Sequence, residues 1–270
     1  MNAYVLRRHG DLSVTAFSLV ELSIVLVIIG LLAGGIMTGQ NLVRASKVRS
    51  VAVEAGRFET AINAFREQYS AWPGDFQSAG EYWGYPGGSA SNCPGTAGTG
   101  TETCDGDGDG VLRGGGAGTN SYHEFFMSWQ HMANAGLIEG SYTGRSSSPE
   151  AWEHIPGVNA PESKLEQAVW GLDTMYDNAG VAARFNIRYG TALNFGSVAA
   201  GMRPRGDVMT PKEARQVDLK LDDGLPSQGS VIVYGVSDCT DADDEDDVFD
   251  VNYALDNKTK DCGLILRLGE

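Results

Sequence analysis

Residues 17–37 read FSLVELSIVLVIIGLLAGGIM. The stretch holds no Lys, Arg, Asp or Pro, and one acid, Glu21, near its start. About 20 helical residues cross the hydrocarbon core of a bilayer, so this segment is long enough to span one. Before it lies a short tail, MNAYVLRRHGDLSVTA, with Arg7 and Arg8; after it the chain has the composition of a soluble domain. A secretory signal peptide places its small-residue cleavage site after the apolar run. Here the small residue, Ala16, precedes the run, so a cut at Ala16–Phe17 removes only the basic tail and leaves the helix on the mature chain. Arg7 and Arg8 favour a cytoplasmic N-terminus. Arg44, Lys47 and Arg49 flank the other end, but a long following domain translocates regardless of such charges.

Glu21 needs a reason, because an acid in a membrane helix is costly and by default functional. Cleavage would create an α-amine at Phe17, one helical turn before Glu21. The fitting use is between chains, with Glu21 of one helix neutralising the Phe17 amine of a neighbour. The alternative is that Glu21 snorkels to the headgroups.

The helix is expected to continue past the membrane. Val48, Val51, Ala55, Phe58, Ile62, Phe65 and Tyr69 are spaced alternately three and four apart, which makes one apolar stripe. Arg44, Lys47, Arg57, Glu59 and Glu67 lie off it. A continuous helix from Phe17 to Ser70 would reach about 80 Å at 1.5 Å per residue; a separate amphipathic helix after a loop is the alternative. Gly30, Gly34, Gly35 and Gly39 lower helix stability, by about 1 kcal/mol each relative to Ala. They also form small-residue faces that permit close helix approach.

Ala16-Phe17-Ser18-Leu19-Val20-Glu21 followed by LSIVLVIIGLLAGG resembles the N-terminus of type IV prepilins and type II secretion pseudopilins. The resemblance implies cleavage between Ala16 and Phe17 by a prepilin peptidase, N-methylation of Phe17, and a role in assembly for Glu21. This chain carries Ala16 where the family usually has Gly, and lacks the Pro common after the apolar run. The implied fold is α+β and pilin-like: a long N-terminal helix, membrane-spanning in its first half, packed on an antiparallel-sheet globular head with long loops. The expected divisions are a cytoplasmic leader at 1–16, a transmembrane and filament-core helix at 17–39, the soluble half of the helix at 40–71, and a head at 72–270. The head is expected in the periplasm, with the subunit held in the inner membrane before it enters a pilus or pseudopilus. Implied partners are the peptidase, other subunits, an inner-membrane assembly platform and membrane lipid.

The net charge of −15 argues against nucleic acid as a partner and suits a cation-binding surface. The four cysteines fall into two local pairs, Cys93 with Cys104 and Cys239 with Cys262, with neither CxxC spacing nor adjacent His. Beyond a membrane segment they read as disulfides in an oxidising compartment, free buried thiols being the alternative.

Trp72-Pro73-Gly74-Asp75 is expected to end the long helix. A Gly/Ser/Thr-rich stretch then leads to Asp105-Gly-Asp107-Gly-Asp109-Gly110-Val111, which matches the first half of a calcium loop. Asp105, Asp107 and Asp109 would supply carboxylates and Val111 a backbone carbonyl to Ca²⁺. Gly116 occupies the place of the usual final Glu, so Glu124, opening the helix in SYHEFFMSWQHMANAGLIEG, is the candidate last ligand. An ion-free acidic turn is the alternative. His123 and His131 lack HExxH spacing and are expected to be exposed or capping. The PGD turn, the GDG-type loop and the WQH helix resemble a group of pilin-like proteins.

Strands are expected at Val181–Tyr189, Ser230–Val236 and Leu264–Leu268, with a short capped helix at Pro211–Val217. Between Cys239 and Cys262 lies TDADDEDDVFD, either a solvated acidic loop or a second cation site. No GxSxG, Walker or Cys–His nucleophile signature appears, so no enzyme is expected. The leading expectation is a structural subunit that polymerises; the alternative is a calcium-binding, single-pass anchored adhesin or receptor that does not.

Overall fold

Helix α1 runs from Leu19 to Tyr69 as one run of 51 residues, in a computed structural model that describes residues 18–93, 95–113, 122–146, 152–175, 184–198, 203–244 and 248–269. The chain divides into two compact units, and the boundary falls inside α1, after Ala45. In the first unit the helix is apolar and exposed as far as Val43: an 18-residue window has mean hydropathy 2.5 with none of it buried. Its length and composition suffice to cross a bilayer. The four glycines at 30, 34, 35 and 39 all face open space.

In the second unit the expected apolar stripe is the core face of α1. Val48, Val51, Ala55, Phe58, Ile62 and Phe65 are buried, and partly buried Tyr69 packs against them. Phe58 meets Trp129 edge-on with ring centres 5.1 Å apart, and Trp170 at 5.5 Å. Ser70 then takes a left-handed backbone (φ 53°), its N–H bonded to the Arg66 carbonyl, and Gly74 follows at φ 95°. That sequence stops the helix and turns the chain.

After α1 come α2 (Ala79–Trp83) and α3 (Glu124–Asn134), then strands β1 (Ala168–Met175) and β2 (Gly190–Ser197). Helix α4 (Pro211–Leu221), strand β3 (Val231–Tyr234), short α5 (Val236–Cys239) and strand β4 (Gly263–Arg267) complete the order. The sheet is antiparallel throughout, in the order β1-β2-β4-β3. An α+β chain with one long apolar N-terminal helix and a four-stranded antiparallel sheet is what results.

Two strand expectations need correction. Residues 181–183 lie outside the described set, and 184–189 connect two strands instead of forming one. The apolar residues there do alternate, with Phe185 and Tyr189 in the core and Ile187 partly buried against it, but the Ile187 N–H and the Tyr189 hydroxyl both donate to the Phe185 carbonyl, at 3.0 and 2.8 Å, which makes a local turn. The strands flank this turn, and each holds polar or small residues that hide its pattern. Within β1 and β2, buried Asn194 donates to Asp173 at 2.6 Å. The strand expected to reach Val236 stops at Tyr234 because Gly235 takes φ 99° and α5 begins. Helix α4 starts where expected, in a full capping box between Thr210 and Glu213, and runs one turn further than the sequence implied.

Both sheet edges are covered by the chain itself. On β1, the Trp170 N–H donates to Pro161 O and the Thr174 N–H to Leu112 O; on β3, the Val233 N–H donates to Pro226 O. Disulfides join Cys93 to Cys104 and Cys239 to Cys262, with Cα separations of 6.0 and 5.3 Å.

Candidate functional site

Ala16 and Phe17 lie outside the described residues. Glu21 stands in the first turn of α1, exposed, and its carboxylate accepts the Ser18 N–H at 2.9 Å while the Ser18 hydroxyl accepts from Val20 N at 3.3 Å. Ser18-x-x-Glu21 is thus a capping pair, satisfying N–H groups that a helix start leaves without partners. The acid has a local task in the single chain as well as any task between chains.

The acidic loop behaves differently from a linear calcium-loop reading. Asp105 is turned inward, accepting from Gly80 N and from the Tyr85 hydroxyl, both at 2.7 Å. Asp109 accepts the Val111 N–H at 2.8 Å and lies 3.6 Å from the Arg113 guanidinium. The carboxylates that converge are Asp107, Glu124 and, from the PGD turn, Asp75, with one oxygen of each within 4.8 Å of the others. Of the four carboxylates expected around an ion, Asp107 and Glu124 are in this group, and Asp105 and Asp109 are not. Asp75 was hidden in plain view, in a turn whose Pro and Gly explained it as punctuation.

Three elements build the cluster. Asp75 follows the end of α1, Asp107 sits in the loop anchored by the Cys93–Cys104 disulfide, and Glu124 opens α3. Asp75 accepts from Gly108 N at 2.5 Å and Gly110 N at 2.8 Å. Glu124 accepts from Asp107 N at 3.1 Å and Arg113 N at 2.9 Å. The backbone therefore wraps the two buried acids, while Asp107 is exposed. Burial pushes the Glu124 carboxyl up to about 7 against these N–H contacts, and burial likewise raises Asp75. Three carboxylates this close repel, and oxygen donors of this kind suit a hard divalent cation such as Ca²⁺. Each carboxylate oxygen keeps a second lone pair for a metal, so the donor set fits such an ion, with Asp75, Asp107 and Glu124 as the side chains that would hold it.

The two histidines were expected to be exposed or capping; both are buried, and His123 occupies the N-cap position of α3 with no side-chain capping bond. His131 accepts the Gly74 N–H at Nδ1 (3.1 Å), and its Nε2 lies 3.1 Å from the Thr103 hydroxyl. Thr103 in turn donates to Gln130 at 2.7 Å, and Gln130 donates to the Glu102 carbonyl at 2.9 Å. Burial holds His131 down to about 3, so the ring is neutral. This relay ties the PGD turn, the disulfide loop and α3 together, fixing the three segments that carry the carboxylates. With both ring nitrogens engaged, His131 is a structural latch.

A second set of acids, Asp218, Asp222 and Asp223, also converges at the end of α4. Here the carboxylates serve the fold. Asp218 accepts from the Tyr253 hydroxyl at 2.7 Å and Gly224 N at 3.2 Å, and Asp222 accepts from the N–H groups of Ser230 and Val231. In the acidic stretch between Cys239 and Cys262, Asp241 clamps Asn252 through its backbone N–H at 2.6 Å; residues 245–247 lie outside the described set.

Compared with protein-family models, curated proteins and solved structures, the chain finds no match. A functional reading therefore stands on these residues alone.

Proposed function

We propose that the chain is a structural pilin-like subunit, cut by a prepilin peptidase between Ala16 and Phe17 and assembled into a type IV pilus or type II secretion pseudopilus. The observation that carries this reading is the motif Ala16-Phe17-Ser18-Leu19-Val20-Glu21 at the head of an apolar helix. The layout supports it: α1 is exposed and apolar in its first part and core-forming in its second. Exposed apolar surface of that extent needs lipid or other helices to cover it. In this reading the first part of α1 anchors the subunit in the inner membrane with the N-terminus cytoplasmic, then packs against neighbouring subunits in the filament. The head is periplasmic, where both disulfides are stable. Ca²⁺, held by Asp75, Asp107 and Glu124, serves to neutralise the cluster and lock the loop, with no catalytic part.

Mass spectrometry of the purified protein tests the proposal. A mature chain beginning at N-methylated Phe17 is the expected result. A chain retaining residues 1–16, or cut elsewhere, would overturn the reading in favour of a plain anchored ectodomain.

A further inference from the structure

At one end of the sheet, β1 stops, β2 and β3 begin, and β4 stops. A cavity of about 620 Å³ opens there, bounded also by the end of α1. Small-ligand sites fall at roughly 300–1,000 Å³. Its charged walls are Arg66 from the last turn of α1, Arg188 before β2 and Arg267 at the end of β4. No acid stands among the described lining residues, in a chain with 35 acids against 20 Lys and Arg. An acidic protein that gathers three guanidinium groups around one hollow has concentrated its positive charge against the trend of its own surface.

The arginines are also positioned. Arg66 stacks over Trp72, its Cζ 4.0 Å from the ring centre. Arg267 donates from Nη1 to the Gly229 carbonyl at 3.3 Å, a contact that leaves its other N–H groups for a ligand. Among the described residues, neither Arg66 nor Arg267 has a carboxylate within ion-pair distance. The hydroxyls of Thr174 and Thr191, 2.8 Å apart, stand in the same wall. Guanidinium forks match the oxygen spacing of carboxylates and phosphates, and the one hydroxyl hydrogen that the threonine pair does not use between themselves adds a neutral donor.

We propose that this cavity binds a small ligand bearing two or more oxyanion groups, carboxylate or phosphate. The site is separate in charge from the carboxylate cluster but touches it: Gly110, in the cavity wall, donates its N–H to Asp75. An anion could therefore reach the protein through a cation held by the cluster, and the test must exclude that route.

The experiment is calorimetric titration of the full chain in detergent, stripped of metal with EDTA, then dialysed into chelator-free buffer and held at constant ionic strength with chloride. The probes are inorganic pyrophosphate and tricarballylate, run separately to distinguish phosphate from carboxylate recognition. Saturable binding of at least one is expected, weakened tenfold or more in the Arg66→Gln/Arg267→Gln pair. Absence of saturable heat with both probes, or unchanged affinity in the folded double variant, would overturn the proposal. If the double variant does not fold by circular dichroism, Arg267→Lys replaces it. That change keeps the charge and loses the fork, so weakened binding is expected, and wild-type affinity would overturn the proposal.

Discussion

The indole N–H of Trp170, in β1, donates to a carboxylate oxygen of Glu54, in the core-forming part of α1, at 2.9 Å. The same carboxylate accepts from the Ser163 hydroxyl at 2.6 Å, from Lys164 N at 3.1 Å and from the Ser50 hydroxyl at 3.2 Å. A buried acid on the apolar face of a helix is thus satisfied by four donors, two from the segment leading into the sheet and one from β1 itself. Glu54→Ala would leave those three without an acceptor. Each buried orphan costs about 1–3 kcal/mol, so a loss of roughly 3 kcal/mol or more is expected in urea denaturation. Glu54→Gln, which keeps one accepting oxygen, should fall between. A Glu54→Ala protein as stable as wild type would show that the contacts contribute nothing.

The carboxylate cluster predicts a stability response to calcium. If Ca²⁺ binds the folded head alone, concentrations about 100 times the dissociation constant add roughly 2.7 kcal/mol. The melting temperature should rise on adding CaCl₂ to EDTA-treated protein. Asp75→Asn should abolish most of the rise, and Asp105→Asn should leave it nearly whole, because Asp105 is occupied by Gly80 and Tyr85. A rise lost in the Asp105 variant and kept in the Asp75 variant would restore the linear loop reading.

Asp218 predicts a pH dependence. Burial, the largest influence, lifts its carboxyl up to about 6, above the ordinary value, despite the Tyr253 and Gly224 hydrogen bonds. An acid whose folded value is raised binds its proton more tightly folded than unfolded, so stability declines as pH rises from about 4 to 6 and then levels. The decline attributable to this group is on the order of 2 kcal/mol. Asp218→Asn can keep the Gly224 bond and let the Tyr253 hydroxyl rotate to accept. Denaturation midpoints across pH 4–8 should therefore be flatter in that variant; an identical slope would remove Asp218 as the cause.

Glu21 allows charge to be separated from capping. In the proposed subunit, Glu21→Ala should insert into membranes yet fail to enter filaments. Glu21→Gln keeps an oxygen for the Ser18 N–H, since Gln also serves in capping boxes, and removes the charge. Immunoblots of sheared filament fractions should show both variants excluded. Normal incorporation of Glu21→Gln would mean that the cap, and not the charge, is what assembly requires.

How much of this was legible follows from the range of the interactions. The stripe from Val48 to Tyr69, the Thr210 cap and the cysteine pairs are written in short spacings, and the structure carries all three. The convergence of Asp75 with Asp107 and Glu124 is not, because three separate segments meet only once the His131 relay and the Cys93–Cys104 disulfide have brought them together. Glu54 had a readable signal, an acid standing on the stripe between Val51 and Phe58, but three of its four donors come from more than a hundred residues away. Strands β1 and β2 escaped notice because Gly171, Asp173, Asn194 and Gly196 interrupt their apolar pattern. The paired Asp173–Asn194 contact, which makes those polar residues tolerable inside, appears only across strands.

The covered sheet edges have a consequence for crowding. A strand with unpaired N–H groups along its rim invites pairing with the same strand on another molecule, the route to uncontrolled aggregation. Here Pro161, Leu112 and Pro226 already accept hydrogen bonds from the outer strands. Heads brought to high local density can lie side by side without zipping together through their backbones. Any ordered array must then be specified by side chains and by the exposed apolar helix, so its geometry can be altered one residue at a time without unpicking the fold.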